Sequence, residues 1–259
     1  MLKLNAYQLK WIAIIGMFCS HMVIAWWHIV PEWLRFPLYF TGGFTFPIMA
    51  YFVAEGYKHT SNLKRYMLRV LVVGLIALPF HIIVLGVPFG AGNPMFYPWL
   101  NIMFSIFVSL FVLWVYDKMK HRAVFWLLYI IIVVPLSLLL EWYFIGITMV
   151  LMCHIIRNEN ARRIVPPIFA GVSMAAIGFM TSVGVYGYAD FFLFRPEFPA
   201  LQATLGLGCI SVAVMFMCYN GERGRKSKWL FYVFYPVHFI VLAAVGLALG
   251  LIDLSVLGF

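Results

Sequence analysis

Charge is scarce in this sequence. Its 259 residues include only 18 basic and 9 acidic side chains, so charged residues make up 10% of the chain, where soluble domains carry about 25%. Polar surface is what a water-soluble fold needs to cover its core, and too little of it is present. Soluble, disordered and nucleic-acid-binding classes are excluded on that ground. Also missing is any polar stretch long enough for a soluble domain, so residues 1–259 read as a single polytopic membrane domain. The cysteines (Cys19, Cys153, Cys209, Cys218) have no C-x-x-C spacing; they suggest neither a disulfide framework nor a metal site, and read as small apolar residues. The first apolar run has no small-residue cleavage site and is expected to be retained. No fixed-period repeat and no matched pair of Gly/Pro-broken runs supports an inverted-repeat transporter.

What is present is apolar sequence, 64% of the chain, with a mean hydropathy of +0.97. A helix needs about 20 such residues to cross a bilayer. That ruler predicts an all-α integral membrane protein with about nine spans, near 10–30, 37–56, 66–87, 98–116, 123–140, 142–156, 164–185, 201–219 and 229–251. The division at Glu141 is the weakest, so eight to ten spans fit. With the N-terminus in the cytoplasm, loop alternation puts Lys3, Lys10, Lys58, Lys64, Arg65, Arg69, Lys118, Lys120, Arg122, Arg157, Arg162, Arg163, Arg223, Arg225, Lys226 and Lys228 on the cytoplasmic side. Of the 18 basic residues only Arg35 and Arg195 fall outside, as the positive-inside rule requires. The formal charge of +9 therefore reports topology and does not indicate nucleic acid.

In such a chain an ionisable group at depth is a functional candidate, because burying it costs a few kcal/mol. His21 is the sharpest, about ten residues into the first span, or roughly 15 Å deep. It suits a general base near neutral pH; a histidine simply hydrogen-bonded between helices is the alternative. Ser20 is adjacent, but neighbours on a helix point about 100° apart, so the two make no dyad by themselves. His238, after Pro236, lies at a matching depth in the last span. Glu55, Tyr57 and His59 close the second span at the cytoplasmic face. Just beyond come Lys64, Arg65 and Arg69, of which Arg65 and Arg69 are four apart on one helical face. That face suits a phosphate-bearing cofactor or membrane-lipid headgroups. Asn101 and His81 sit towards the outer half, while His28, His121 and His154, near the interfaces, receive no role.

These residues also carry a likeness. Leu4 to Met17 leading to His21, Thr41 to Thr60 continuing through Tyr66-Met-Leu-Arg69 and Ala77-Leu-Pro-Phe80, Pro98-Trp-Leu-Asn101, and Tyr235-Pro-Val-His238 resemble TraX-like proteins over nearly the whole chain. The most specific stretch is Phe46 to Arg69. TraX-like proteins are multi-spanning bacterial membrane proteins whose founding member acetylates the N-terminal alanine of a conjugative pilin, and the family is related to membrane acyltransferases that draw on cytoplasmic acyl-CoA through an intramembrane histidine. The resemblance implies His21 as the catalytic histidine and the Arg65/Arg69 face as the CoA site. Two positions depart from the family pattern: Ser20 stands where Asp commonly precedes the histidine, and Gly43 stands where Arg follows the glycine of the G-R-x-A-F-P motif. An acid and a base are missing together.

The expected activity is thus transfer of an acetyl (acyl) group from acetyl-CoA, without a metal, to an amine or hydroxyl acceptor: a peptide N-terminus, a glycan or a small molecule. His21 is the expected base, assisted by His238, with Lys64, Arg65 and Arg69 on the CoA phosphates. Ser20, Glu55, Tyr57, His59 and Asn101 are the candidate cavity residues, and the expected location is the bacterial inner membrane. A transporter or channel using the buried histidines, or a non-catalytic assembly factor for a surface polymer, are the alternatives.

Overall fold

A computed structural model describes residues 3–86, 100–182, 198–225 and 229–252. The edges of the third, fourth and seventh expected spans, with Arg195, Lys226 and Lys228, lie outside the described residues. Ten helices follow in chain order: α1 (Ala6–Ala25), α2 (Glu32–Gly42), α3 (Thr45–His59), α4 (Leu63–His81), α5 (Ile102–Lys118), α6 (Arg122–Leu128), α7 (Tyr143–Ile155), α8 (Glu159–Ser182), α9 (Phe198–Met217) and α10 (Leu230–Ala248). Among the described residues, extended pairing is confined to two isolated bridges, Leu4 with Tyr219 and Leu100 with Leu140. The protein is an all-helical membrane protein. Among the described residues seven helical segments are long and apolar enough to cross a bilayer; α5 has 17 residues and α7 has 13.

Every expected span contains helix, with two local differences. The second span is two helices, α2 and α3, joined at Gly43-Phe44. There the Gly43 and Phe44 amides turn back to Phe40 O and Thr41 O, a tighter pattern than the α-helix, in keeping with the low helix propensity of glycine. The α2–α3 pair, Glu32 to His59, forms a single apolar segment of 28 residues. The fifth span starts as α6 and continues through a π turn at Tyr129–Val133, a short helical piece at Val134–Leu136 and a 3₁₀ turn at Ser137–Leu139. Pro135 supplies no amide there, so the regular ladder cannot be kept. Leu127, Ile130 and Ile131 on this segment are exposed; such faces are at home only in lipid.

The chain forms two compact units. The first contains residues 1–49 and 158–228, the second residues 50–90, 95–157 and 229–259. In the first unit α2 packs on α1 and α9, and α8 on α9. Lipid offers no hydrophobic drive between helices, so close packing of small residues must supply the attraction. Glycines do this here. A Cβ added at Gly171 would lie 2.5 Å from Gly206 O, and one at Gly42 would lie 2.5 Å from the Ser20 Cβ. Gly16 meets the Thr41 carbonyl and Gly208 the Phe40 carbonyl in the same manner. The open end of α1 is closed by an Asn5/Gln8 capping box, the reciprocal arrangement that satisfies two free amides. It is tied down by Leu4 N to Cys218 O at 2.8 Å, Asn220 N to Leu4 O at 2.9 Å and Ala6 N to Glu222 O at 2.8 Å.

In the second unit α4 packs on α5 and α10, and α5 on α7. Its helix ends pair as loop alternation requires. The C-terminal ends of α3, α5 and α7 meet through Tyr57, Asp117 and His154. The C-terminal end of α4 meets the start of α5 and Glu141 through His81 and Asn101.

Candidate functional site

His21 lies in the first unit, on α1, and is buried. Ser20 beside it is buried as well, and its hydroxyl donates to Met17 O at 3.1 Å, within its own helix. The hydroxyl is therefore committed to the α1 ladder, as the angular argument expected. The two departures from the family pattern have a shared physical setting. Ser20 packs on Gly42, and the next residue, Gly43, is pressed against the α9 backbone: a Cβ there would lie 2.7 Å from Cys209 N and still nearer Leu205 O. With α9 this close, position 43 has no room for an arginine. An aspartate at position 20 would then lack that partner, and an unpaired charge in an apolar core is worse than none.

The remaining candidates belong to the second unit. Lys64 and Arg65 are exposed in the first turn of α4, whose N-cap Asn62 accepts from Arg65 N at 2.9 Å. Two cations beside the positive end of a helix repel each other and that end, an arrangement that favours a bound anion. Arg69, one turn on, is partly buried; its guanidinium lies 6.0 Å from the Tyr66 ring centroid and bonds Tyr232. Lys64 and Arg65 are thus open to a ligand, while Arg69 is held by two tyrosines. Glu55 faces Lys58 at 3.6 Å and His59 at 3.7 Å. The Tyr57 hydroxyl donates to Asp117 Oδ2 at 2.8 Å, and His154 Nε2 lies 2.9 Å from Asp117 Oδ1. The two rings meet edge to face at 5.3 Å. Sequence reasoning gave Asp117 and His154 no role.

A second group sits deeper. Asn101 caps α5, accepting from Met103 N at 3.1 Å and donating to Gly74 O at 2.9 Å. Its amide thus joins α4 to α5. Beside it Glu141 is fixed at three points: its amide donates to Leu100 O, its carbonyl accepts from Ser105 Oγ at 2.6 Å, and its carboxylate Oε2 accepts from Ile102 N at 2.9 Å. The same Oε2 lies 3.6 Å from His81 Nε2. His81 is 4% exposed, and its ring meets Phe239 edge to face at 5.3 Å. Tyr235 and His238 on α10 are buried, with Tyr235 in the field of Glu141. The ring of His238 is stacked on Phe234 and its Nδ1–H donates to Phe234 O at 3.2 Å.

Sequence reasoning passed over His81 as a partner and took Glu141 for a span boundary. The available signal was a carboxylate inside an apolar run, which lipid tolerates only when it has a partner. Among the described residues no group of three or more His, Cys, Asp and Glu is placed to hold a metal.

Comparison with known proteins agrees with the architecture. A protein from Dichelobacter nodosus named "Probable fimbrial assembly protein FimC, serogroup H1" is 27% identical over 251 residues, covering 93% of this chain and 95% of that protein. No solved structure matches the chain. Residues 5–246, from the N-cap of α1 into α10, match the family described as TraX protein. A chain that matches this family over so much of its length belongs to the TraX family.

Proposed function

We propose that the protein is a membrane-embedded acyltransferase of the bacterial inner membrane, moving an acetyl (acyl) group from cytoplasmic acetyl-CoA to an amine or hydroxyl acceptor used in surface-fibre assembly. The observation that carries the reading is His21, a buried imidazole on the first helix of a TraX-family chain. The name of the Dichelobacter nodosus relative supports the link to fibres. In the reaction the acceptor nitrogen or oxygen attacks the thioester carbonyl carbon. The new bond to the acyl carbon forms as the C–S bond breaks, and the acceptor proton passes to His21 and then to the departing thiolate. Lys64 and Arg65 take the CoA phosphates at the start of α4, with Arg69 behind them. His238, in the second unit, is the second candidate histidine, and its Nδ1–H is directed at Phe234 O. Glu55, Tyr57 and His59 mark the cytoplasmic end of the route. Asn101, which joins α4 to α5, is kept as a candidate cavity residue.

The test is transfer from radiolabelled acetyl-CoA to a pilin-type peptide by purified protein. His21→Ala abolishes transfer and retains CoA binding, whereas Lys64→Ala with Arg65→Ala weakens CoA binding at least tenfold. Absence of CoA binding by the wild type, or transfer that survives His21→Ala, overturns the reading. The name of the relative equally favours a non-catalytic assembly factor; in that case His21→Gln leaves fibre assembly intact and acetyl-CoA is not bound.

A further inference from the structure

His81 and Glu141 share an arrangement that a mere helix staple does not need. Glu141 faces Nε2 of the imidazole at 3.6 Å, just beyond hydrogen-bond distance; a ring proton on the side of the acid leaves the lone pair on Nδ1. That Nδ1 atom is buried and has no hydrogen-bond partner. Buried polar groups are almost always paired, so an orphaned acceptor of this kind calls for a ligand to complete it. The carboxylate sits at the N-terminus of α5 and accepts the Ile102 amide. A carboxylate facing one ring nitrogen makes the other a stronger acceptor.

The backbone is irregular at each element that builds the pair. Pro79 precedes His81 by two residues, and a π turn, Ile82–Gly86, follows it directly. Trp142 and Tyr143, next to Glu141, hold left-handed φ values of 72° and 46°. Pro236 interrupts α10 between Tyr235 and His238. Non-glycine residues in the left-handed region and π turns within helices both concentrate at functional sites. The groups around the pair are Asn101 and Ser105 from α5 and Tyr235, His238 and Phe239 from α10. Among these groups and the pair itself, Glu141 is the one carboxylate.

We propose that His81 and Glu141 form a ligand site that accepts a hydrogen bond at His81 Nδ1 from a neutral hydroxyl or N–H group on an otherwise apolar molecule. A neutral donor fits because the carboxylate is already engaged by His81 and Ile102, and the walls supplied by Phe239 and Tyr235 are aromatic. The site is separate from His21 and does not depend on the acyl-transfer reading.

Nitrogen-15 NMR of the full-length protein labelled at histidine, in lipid nanodiscs, tests this, with His81→Gln assigning the signal. Without ligand, the His81 signals show a proton on Nε2 and a bare Nδ1. Added 1-butanol or N-methylacetamide shifts the Nδ1 signal saturably, while diethyl ether, an apolar molecule without a donor, does not. Glu141→Gln weakens the apparent affinity for both donors at least tenfold and leaves the chain folded, as the unchanged signals of the other histidines show. A Nδ1 that is already hydrogen-bonded without ligand, a response to ether equal to that of the alcohol, or no response to either donor overturns the proposal.

Discussion

Two histidine–carboxylate pairs stand at opposite ends of the second unit. In each, Nε2 faces the acid and Nδ1 is buried without a hydrogen-bond partner. Helix α5 connects them: Ile102, which binds Glu141, and Asp117, which binds His154, are separated by roughly 22 Å of helix at 1.5 Å per residue. Their surroundings differ. The Asp117 side chain is 43% exposed and gathers two partners at short range, whereas the Glu141 side chain is 18% exposed and holds His81 at a longer distance, in a deeper place. The same chemical pair is thus a partly exposed tie in one case and a buried one in the other. Geometry alone does not rank them; the medium around them does, because water screens the first and cannot screen the second.

Substitutions that respect this difference should separate the pairs. The largest loss is expected for Glu141→Ala, which strips both the Ile102 amide and His81 of their acceptor inside the unit and costs about 3 kcal/mol, read as a fall in the detergent-solubilised melting midpoint. His81→Gln is expected to cost about 1–2 kcal/mol by the same measurement, since Glu141 keeps its backbone amide. Asp117→Asn should cost no more than about 1 kcal/mol, because water can replace what Tyr57 and His154 lose. Raising the salt to 1 M should shrink that Asp117 effect and leave the Glu141 effect in place; equal salt sensitivity would remove the distinction. Tyr57→Phe is the mildest, about 0.5 kcal/mol or less, as Asp117 retains His154. If Tyr57→Phe proved more damaging than Glu141→Ala, the contrast between the ends would be reversed.

The helices were legible because a bilayer demands long apolar runs, and each expected span contains one. Alternation of the basic residues also carried real structural content: it placed Tyr57, Asp117 and His154 at one end of the second unit and His81, Asn101 and Glu141 at the other, as the contacts have it. The break at Gly43-Phe44 escaped, since it lies inside one apolar run and the α9 backbone packed against Gly43 comes from more than 160 residues along the chain. Depth, the criterion that selected His21 and His238, measures how costly a group is but not what it touches. It therefore said nothing of Glu141 and His81, which lie on separate elements and meet only after folding. Exposure was equally hidden. Lys64, Arg65 and Arg69 look alike in sequence, yet two are open and the third is enclosed by Tyr66 and Tyr232.

The ties between Leu4 or Ala6 and Cys218, Asn220 and Glu222 have a meaning for biosynthesis. Helix α1 leaves the ribosome roughly two hundred residues before the segment that fixes its open end, and most of the second unit is encoded in between. At a synthesis rate of about 5–20 residues per second, α1 waits for ten seconds or longer in the insertion machinery or the bilayer before its capping segment arrives. During that interval the glycine faces of α1 and α2 have only each other. A helix that enters the membrane early is thus locked in place late.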